Sequence, residues 1–407
     1  MLGIVSFFSF SDKSAKVLAF IFGEFKKYYD SPEAIVVTGM RRTGKTTLLQ
    51  FIYEQIDSKN KIFLDLENPL NRKYFEEDNY ERIKTSFNIL SIDFSAKSFI
   101  FLDEIQFVKN LPSVVKYFID HYQVKFFLTG SAHYYLKNLF TESLAGRKII
   151  FELFPLSFQE FLIFKEVSMK IPRDTDLITQ PIFDLLSPLY EEYIHFGGFP
   201  GVVLKSSIDE KKKALEDIFT SFFQLEVIQL GDFRKNEVIR DLMLLLMQRL
   251  GSRLDIQKIS KELGVSRTTL QYYVAFLEGT YFIRTIRPFG LGRNAEIRKM
   301  PKVYICDTGM ANHFARLDLG SLFENSVFQN LRLCGEISYY RKKTGVEIDF
   351  ILDREQAYEV KVRPQISDVK KLQGLARGIN LKEYKVVLKN FCNLESVIYG
   401  FMVGMNP

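Results

Sequence analysis

The sequence predicts an α/β fold of several domains, and three observations predict it. Short apolar, β-branched runs alternate with helical spacing through residues 1–154, the pattern of a parallel sheet covered on both faces. Residues 155–235 lack strand-like alternation and read as helices, and they lead into a helix, a glycine turn and a second helix within 256–286. Residues 306–407 return to a helix followed by alternating strands. At 407 residues the chain is too long for one ordinary core. Four domains are therefore drawn: a sheet core over 1–154, a helical lid over 155–235, a winged helix-turn-helix over 236–305, and a second α/β domain over 306–407.

Composition narrows the class. Apolar residues make up 47% and charged residues 26%, which excludes a disordered or fibrous chain. The three cysteines, Cys306, Cys334 and Cys392, are too few and too scattered for a disulfide framework or a Cys-type zinc site, so a reducing, cytoplasmic setting is expected. The opening MLGIVSFFSF lacks a basic leader and a small-residue cleavage site and is not read as a signal peptide. No run reaches the ~18 apolar residues a membrane helix requires, so no membrane partner is expected. The net charge is +6, and residues 251–302 alone hold ten Lys or Arg against four Asp or Glu. That local excess equals the total and marks a polyanion-binding segment, with DNA as the expected partner.

In the first third, the run AIVVTG (34–39) reads as a strand, and TTLLQFIYEQI after it has helical spacing. Between them Gly39, Gly44, Lys45 and Thr46 satisfy G-x-x-x-x-G-K-[ST] in the strand–loop–helix context that motif requires. Glycines let backbone N–H groups wrap the phosphates of a nucleotide, Lys45 supplies a point charge, and the Thr46 hydroxyl faces Mg²⁺. Arg42, Thr43 and Thr47 complete the nucleotide-binding set. SFIFLDEIQ (98–106) closes a buried strand on Asp103, expected to hold Mg²⁺, and Glu104, expected to polarise the attacking water. VKFFLTGS (124–131) ends in Thr129 and Ser131, candidates for sensing the γ-phosphate. Arg147 is a candidate sensor or trans-acting arginine, and a homo-oligomer is a further expectation. Strands are expected at about 34–38, 61–66, 99–102, 124–128 and 148–153, with the nucleotide at their carboxyl ends. FGGFPG (196–201) is expected to be an ordered turn or hinge.

Farther on, Ile256, Ile259 and Leu263 face inward on one short helix. Gly264 makes the turn, and Ser266 caps a second helix burying Leu270, Tyr273, Val274 and Leu277. YFIRTI and KVYIC pair as a wing. Arg267, Thr268, Thr269, Gln271 and Tyr272 stand exposed near the start of the second helix, where a recognition helix would meet DNA. The alternative is that this module only packs between domains.

In the last hundred residues LFENSVFQNLRL (322–333) reads as an amphipathic helix with Glu324 in its first turn. ISYYRKKTGVEIDFILDREQAYEVKVRP (337–364) reads as two strands around a turn at 353–356. Asp349 lies in the first, and Glu359 and Lys361 share a face of the second. Carboxylates so gathered bind Mg²⁺ or Mn²⁺ and an adjacent Lys positions a nucleophile, which is the set a phosphodiester-cleaving site requires. Glu347, on the face of Asp349, is an additional candidate ligand.

With GMRRTGKTTLL, FLDEIQ, FLTGSA, AGR, FPLSFQEF, YIHFGGFPGVV, KVYICDTGM, FEN, GVEIDFIL and YEVKV in this order, the chain resembles the prokaryotic AAA-type ATP-binding proteins, abundant in archaea, that carry a C-terminal restriction-endonuclease-like domain of unknown function. The resemblance implies an ASCE/AAA-like P-loop NTPase sheet, ATP as ligand, and a PD-(D/E)xK assignment for Glu324, Asp349, Glu359 and Lys361. Ile348 stands where that superfamily's naming proline would be. The expected function is an Mg²⁺-dependent ATPase coupled to DNA binding and metal-dependent DNA cleavage. The alternative is a STAND-type signalling or scaffold ATPase whose nuclease-like domain is silent and binds a protein partner.

Overall fold

The computed structural model describes residues 23, 25–131, 146–231, 233, 235–290, 299–392 and 394–405. The opening apolar stretch and most of SLAGR lie outside them. The chain divides into two compact units, residues 1–154 with 279–281, and residues 155–278 with 282–407.

The first unit is a five-stranded parallel sheet in the order β2-β3-β4-β1-β5. Its strands are β1 (Ala34–Thr38), β2 (Lys61–Asp65), β3 (Ser98–Asp103), β4 (Val124–Gly130) and β5 (Lys148–Glu152). Helices α1 (Lys45–Gln55), α2 (Tyr80–Ile89) and α3 (Leu111–His121) connect them. Every residue of β1, β3 and β4 is buried, as continuous apolar runs between two helical layers require. Alternate side chains feed two cores. Ala34, Val36, Ile100, Leu102 and Leu128 pack against α2 and α3 residues such as Phe87 and Phe118. Ile35, Val37, Phe99, Phe101 and Phe127 pack against Leu48, Leu49 and Ile52 of α1. Phe101 and Phe127, two of the chain's 39 phenylalanines, stack with ring centroids 4.6 Å apart. Because β4 separates β1 from β3, the loop after β1 and the acids ending β3 are flanked by the end of β4.

In the second unit the longer helices are α4 (Phe158–Phe164), α5 (Gln180–Phe196), α6 (Ile208–Phe222), α7 (Asn236–Gln248), α8 (Ile256–Glu262), α9 (Arg267–Gly279), α10 (Thr308–Ala315), α11 (Leu319–Leu331) and α12 (Ile366–Gly378). A seven-stranded sheet runs β12-β11-β10-β9-β8-β6-β7. It comprises β6 (Ile283–Pro288), β7 (Lys302–Ile305), β8 (Ile337–Arg341), β9 (Glu347–Leu352), β10 (Gln356–Lys361), β11 (Glu383–Leu388) and β12 (Val397–Tyr399). The pair β6–β7 is antiparallel, and β6 also pairs in parallel with β8. Residues on both sides of the expected boundary at 305–306 therefore share one sheet.

Three sequence readings are corrected here. Residues 337–361 form three strands, not two: Lys342 to Val346 close an additional turn, with the Lys342 N–H donating to the Val346 carbonyl and Gly345 at φ 94°. The later turn has Asp353 and Arg354 both at positive φ, with the Glu355 N–H donating to the Leu352 carbonyl at 3.0 Å and Leu352 paired opposite Gln356. The helix carrying Glu324 begins at Leu319, because Asp318 caps it by accepting the Ser321 N–H at 3.0 Å. Glu324 thus stands in its second turn. That helix is not amphipathic either, since Asn325, Ser326, Gln329 and Asn330 are buried along with its apolar residues.

Candidate functional site

In the first unit Gly39 and Gly44 take φ 154° and φ 100°, and Arg42 between them is left-handed at φ 67°. A Cβ on Gly39 would lie 2.1 Å from the Leu153 carbonyl oxygen, so glycine is required for packing as well as for wrapping phosphate. Nothing lies within 4 Å of a Cβ on Gly44. Lys45 is buried, its ammonium donating to the carbonyls of Gly39 at 3.0 Å and Met40 at 2.9 Å. The Thr43 hydroxyl donates to the Met40 carbonyl at 2.9 Å, closing the loop from inside. Thr46 and Thr47 follow in the first turn of α1.

Asp103 is buried, accepts from the Thr129 hydroxyl and has the Thr46 side chain beside it. Burial, then the neighbouring Glu104 charge, pushes its carboxyl above the usual range, outweighing those two hydroxyls. A carboxylate so placed is relieved by a cation, and Thr46 and Asp103 are the residues fitted to hold Mg²⁺. Glu104 is left-handed at φ 54°, its N–H donating to Asp103 Oδ1 at 3.1 Å. Gln106, which the sequence reading passed over, donates from Nε2 to Glu104 and, at 3.0 Å, to Ser131 Oγ. Its signal was its place two residues beyond Glu104. Thr129 thus partners Asp103 and the Glu104 N–H directly, and Ser131 reaches Glu104 only through Gln106, whereas one or the other was expected to sense phosphate.

Arg147 is corrected. Its carbonyl accepts the Ala34 N–H at 2.9 Å, at the start of β1, while the phosphate loop follows the far end of that strand. Five residues of strand put the two roughly 16 Å apart, and the guanidinium pairs with Asp120 at 2.8 Å. A sensor role within its own subunit is therefore removed.

In the second unit, Glu324, Glu347 and Asp349 converge on Lys302, a residue of β7 absent from the sequence reading. Its Nζ lies 3.6, 3.2 and 3.7 Å from them, with the side chain only 3% exposed. Burial alone would lower the lysine's pKa, but the three carboxylates outweigh it and raise it. The Tyr304 hydroxyl donates to Glu324 Oε1 at 2.6 Å, and the Val360 N–H to Asp349 Oδ2 at 2.9 Å. Lys361 pairs with Glu359 Oε1 at 2.8 Å, while Glu359 Oε2 is buried without a hydrogen-bond partner. Burial and the Asp349 charge raise the pKa of both Glu324 and Glu359. Among the described residues no three His, Cys, Asp or Glu side chains are gathered closely enough to hold a metal ion as they stand. The orphaned Glu359 oxygen still fits a cation at that end of the cluster. Elsewhere in the second unit, α8 and α9 form a helix–turn–helix with Gly264 at φ 63° and Ser266 accepting the Thr269 N–H at 3.0 Å.

The first unit's fold and site are those of a P-loop nucleotide-binding domain, and the family comparison agrees over that segment. Residues 31–162 match the family described as AAA domain, and residues 187–321 match a domain of unknown function, DUF8612. Glu324, Asp349, Glu359 and Lys361 lie outside both segments. Over 381 residues the chain is 27% identical to an uncharacterised protein of Methanocaldococcus jannaschii, covering 90% of this chain and 82% of that one. An uncharacterised protein of Haemophilus influenzae is 26% identical over 80% of each chain. Among solved structures, the Aeropyrum pernix ORC1 protein in complex with DNA overlaps at TM-score 0.33 and 12% identity, covering 75% of this chain and 91% of that one. AMPPCP-bound DnaA from Aquifex aeolicus overlaps at 0.29 and 17%, covering 65% and 88%. Overlaps this slight carry no argument, and the class rests on the AAA segment and the site. Among the described residues no helix is long and apolar enough to cross a membrane.

Proposed function

We propose that the chain is an Mg²⁺-dependent ATPase that couples its nucleotide state to DNA binding by the helix–turn–helix segment and to metal-dependent cleavage of DNA by the acidic cluster. The observation that carries the ATPase half is the buried Asp103, bonded by the Thr129 hydroxyl with the Thr46 side chain beside it, together with the buried Lys45 of the glycine loop. Lys45, now spending its charge on two carbonyls, exchanges them for phosphate oxygens. Thr46 and Asp103 would hold Mg²⁺, whose charge would offset that developing on the phosphates. Glu104 accepts the proton of the attacking water, oriented by Gln106.

The cleavage half is supported by the order of elements α11-β8-β9-β10-α12-β11, in which Glu324 and Asp349 share Lys302 and Glu359 lies on β10, paired with the strand of Asp349, and by the unpartnered Glu359 oxygen. Lys361, beside Glu359, positions the nucleophile. One observation favours the scaffold reading instead: a lysine already lies among three of the acids.

Lys45→Ala should abolish ATP binding, and Glu104→Gln should bind ATP but hydrolyse it about 100-fold more slowly, the range of a lost general base. Nucleotide binding by fluorescence and phosphate release measure both; unchanged affinity in Lys45→Ala would defeat the assignment. Nicking of plasmid DNA in Mg²⁺ or Mn²⁺, lost in Asp349→Asn without loss of ATP turnover, tests the second half. No cleavage of single-stranded, duplex or branched DNA, with and without ATP, leaves the scaffold reading standing.

A further inference from the structure

The four carboxylates of the C-terminal cluster do not have equivalent surroundings. Glu324 is held on one oxygen by both the Tyr304 hydroxyl and Lys302. Glu347 is held by Lys302 at 3.2 Å and by Arg341 at 3.0 Å. Both are matched on the Lys302 side by cations that belong to the chain, and Glu359 is matched on Oε1 alone by Lys361 at 2.8 Å. Asp349 stands between the two ends: Oδ1 faces Lys302 at 3.7 Å, the longest of the three approaches, and Oδ2 takes a backbone N–H. Glu359 is 5% exposed, and its Oε2 is buried with no hydrogen-bond partner at all. A buried carboxylate oxygen left so is costly unless something binds it.

Lys302 cannot withdraw easily. It begins β7, whose residues pair with β6, and its stem is packed with the ammonium 5.5 Å from the Tyr339 ring centre. A divalent ion between Glu324 and Asp349 would face this ammonium at short range and be repelled by it.

We propose that Lys302 is the resident cation of the Glu324–Glu347 end of the cluster, so that a divalent ion is held by Asp349 and Glu359 and not by Glu324. The inference rests on the metal-site reading of the cluster and narrows it. Glu324 becomes a positioning residue, fixing Lys302 and Tyr304, and the site takes a single ion with two carboxylate ligands. Lys302 also limits how strongly the ion is held, because its positive charge subtracts from the attraction of Asp349.

Titration of Mn²⁺ alone into the nucleotide-free full chain tests this, followed by calorimetry and by the Mn²⁺ resonance signal. An Asp103→Asn background removes the contribution of the nucleotide site. Glu359→Gln should weaken Mn²⁺ binding tenfold or more, Glu324→Gln should change it less than threefold, and Lys302→Met should tighten it tenfold or more by freeing Glu324 and Glu347. Lys302→Met with Glu324→Gln should bind more weakly than Lys302→Met alone. Equal losses in Glu324→Gln and Glu359→Gln overturn the inference, as does unchanged affinity in folded Lys302→Met. If Lys302→Met does not fold, the two Gln variants decide alone. Absence of Mn²⁺ binding in the parent and every folded variant overturns the metal-site reading itself, an outcome distinct from the equal losses that defeat only the division of labour.

Discussion

Gly197 and Asp307 show what single residues do in the second unit. Gly197 ends α5 at φ 76° and ψ −167°, a region essentially reserved for glycine, and a Cβ there would lie 2.0 Å from Asp307 Oδ1. The closeness is used: the Gly198 N–H donates to Asp307 Oδ2 at 2.7 Å and the Met310 N–H to Oδ1 at 3.1 Å. FGGFPG is thus an ordered helix end built around a buried carboxylate. Gly197→Ala should cost about 3 kcal/mol or more, combining backbone strain with displacement of Asp307; urea unfolding measures it, and a loss under ~1 kcal/mol would refute the packing argument. Burial raises the Asp307 pKa to about 6 despite those two donors. The unfolded value is about 3.9, so the stability tied to this group is full below pH ~4 and is lost as pH rises through 6, by roughly 2–3 kcal/mol. Asp307→Asn should flatten that part of the stability–pH curve, at the expense of one accepted hydrogen bond, and an unchanged slope between pH 4 and 6 would show that another group titrates there.

At the scale of elements, α11 explains why its region was harder to read than the nucleotide-binding half. A parallel strand followed by a glycine loop and a helix is announced by neighbours in sequence, so β1, β3 and β4 and the residues at their ends were legible. The buried polar row of α11 finds its partners elsewhere: Asn325 accepts the Ile305 N–H at 3.0 Å and donates to the Ile305 carbonyl at 3.2 Å, while Asn330 accepts the Phe158 N–H at 2.9 Å. These amides complete backbone pairing that neither the end of β7 nor the start of α4 supplies, so polarity there does not mark a solvent face. The same distance in sequence hid Lys302, whose partners lie 22 to 47 residues further along the chain. Asn325→Leu keeps the branching and heavy-atom count of the side chain, with somewhat greater bulk, and leaves an N–H and a carbonyl of Ile305 unpaired, which should cost about 2–4 kcal/mol. Thermal melting with Asn325→Asp as comparison checks it: Asp keeps the acceptor and should lose less only below neutral pH, where it can be neutral.

For the molecule as a whole, charge placement decides what the basic segment can do. Of its ten basic residues, Lys302 is spent inside the acidic cluster, and Arg293 and Arg298 lie outside the described residues. Arg253, Lys258, Lys261, Arg267, Arg284, Arg287 and Lys299 are exposed. Lys258 and Arg267 belong to the two helices of the helix–turn–helix, and Tyr272, 46% exposed, adds an aromatic face on the second. Counting charges along the sequence thus overstated the surface charge by the one lysine that the fold takes inside. Taking one cationic side chain away from a phosphate of duplex DNA makes the plot of log affinity against log salt shallower by about 0.9. Lys258→Ala with Arg267→Ala should therefore weaken duplex binding and flatten that slope by roughly 2, whereas Lys302→Met should leave the slope unchanged because its ammonium never meets a phosphate. Fluorescence anisotropy across a salt series reads all three proteins. A slope untouched by the double substitution would make the helix–turn–helix a packing module, and a slope flattened by Lys302→Met would mean that the Lys302 ammonium itself meets a phosphate when DNA enters the acidic cluster.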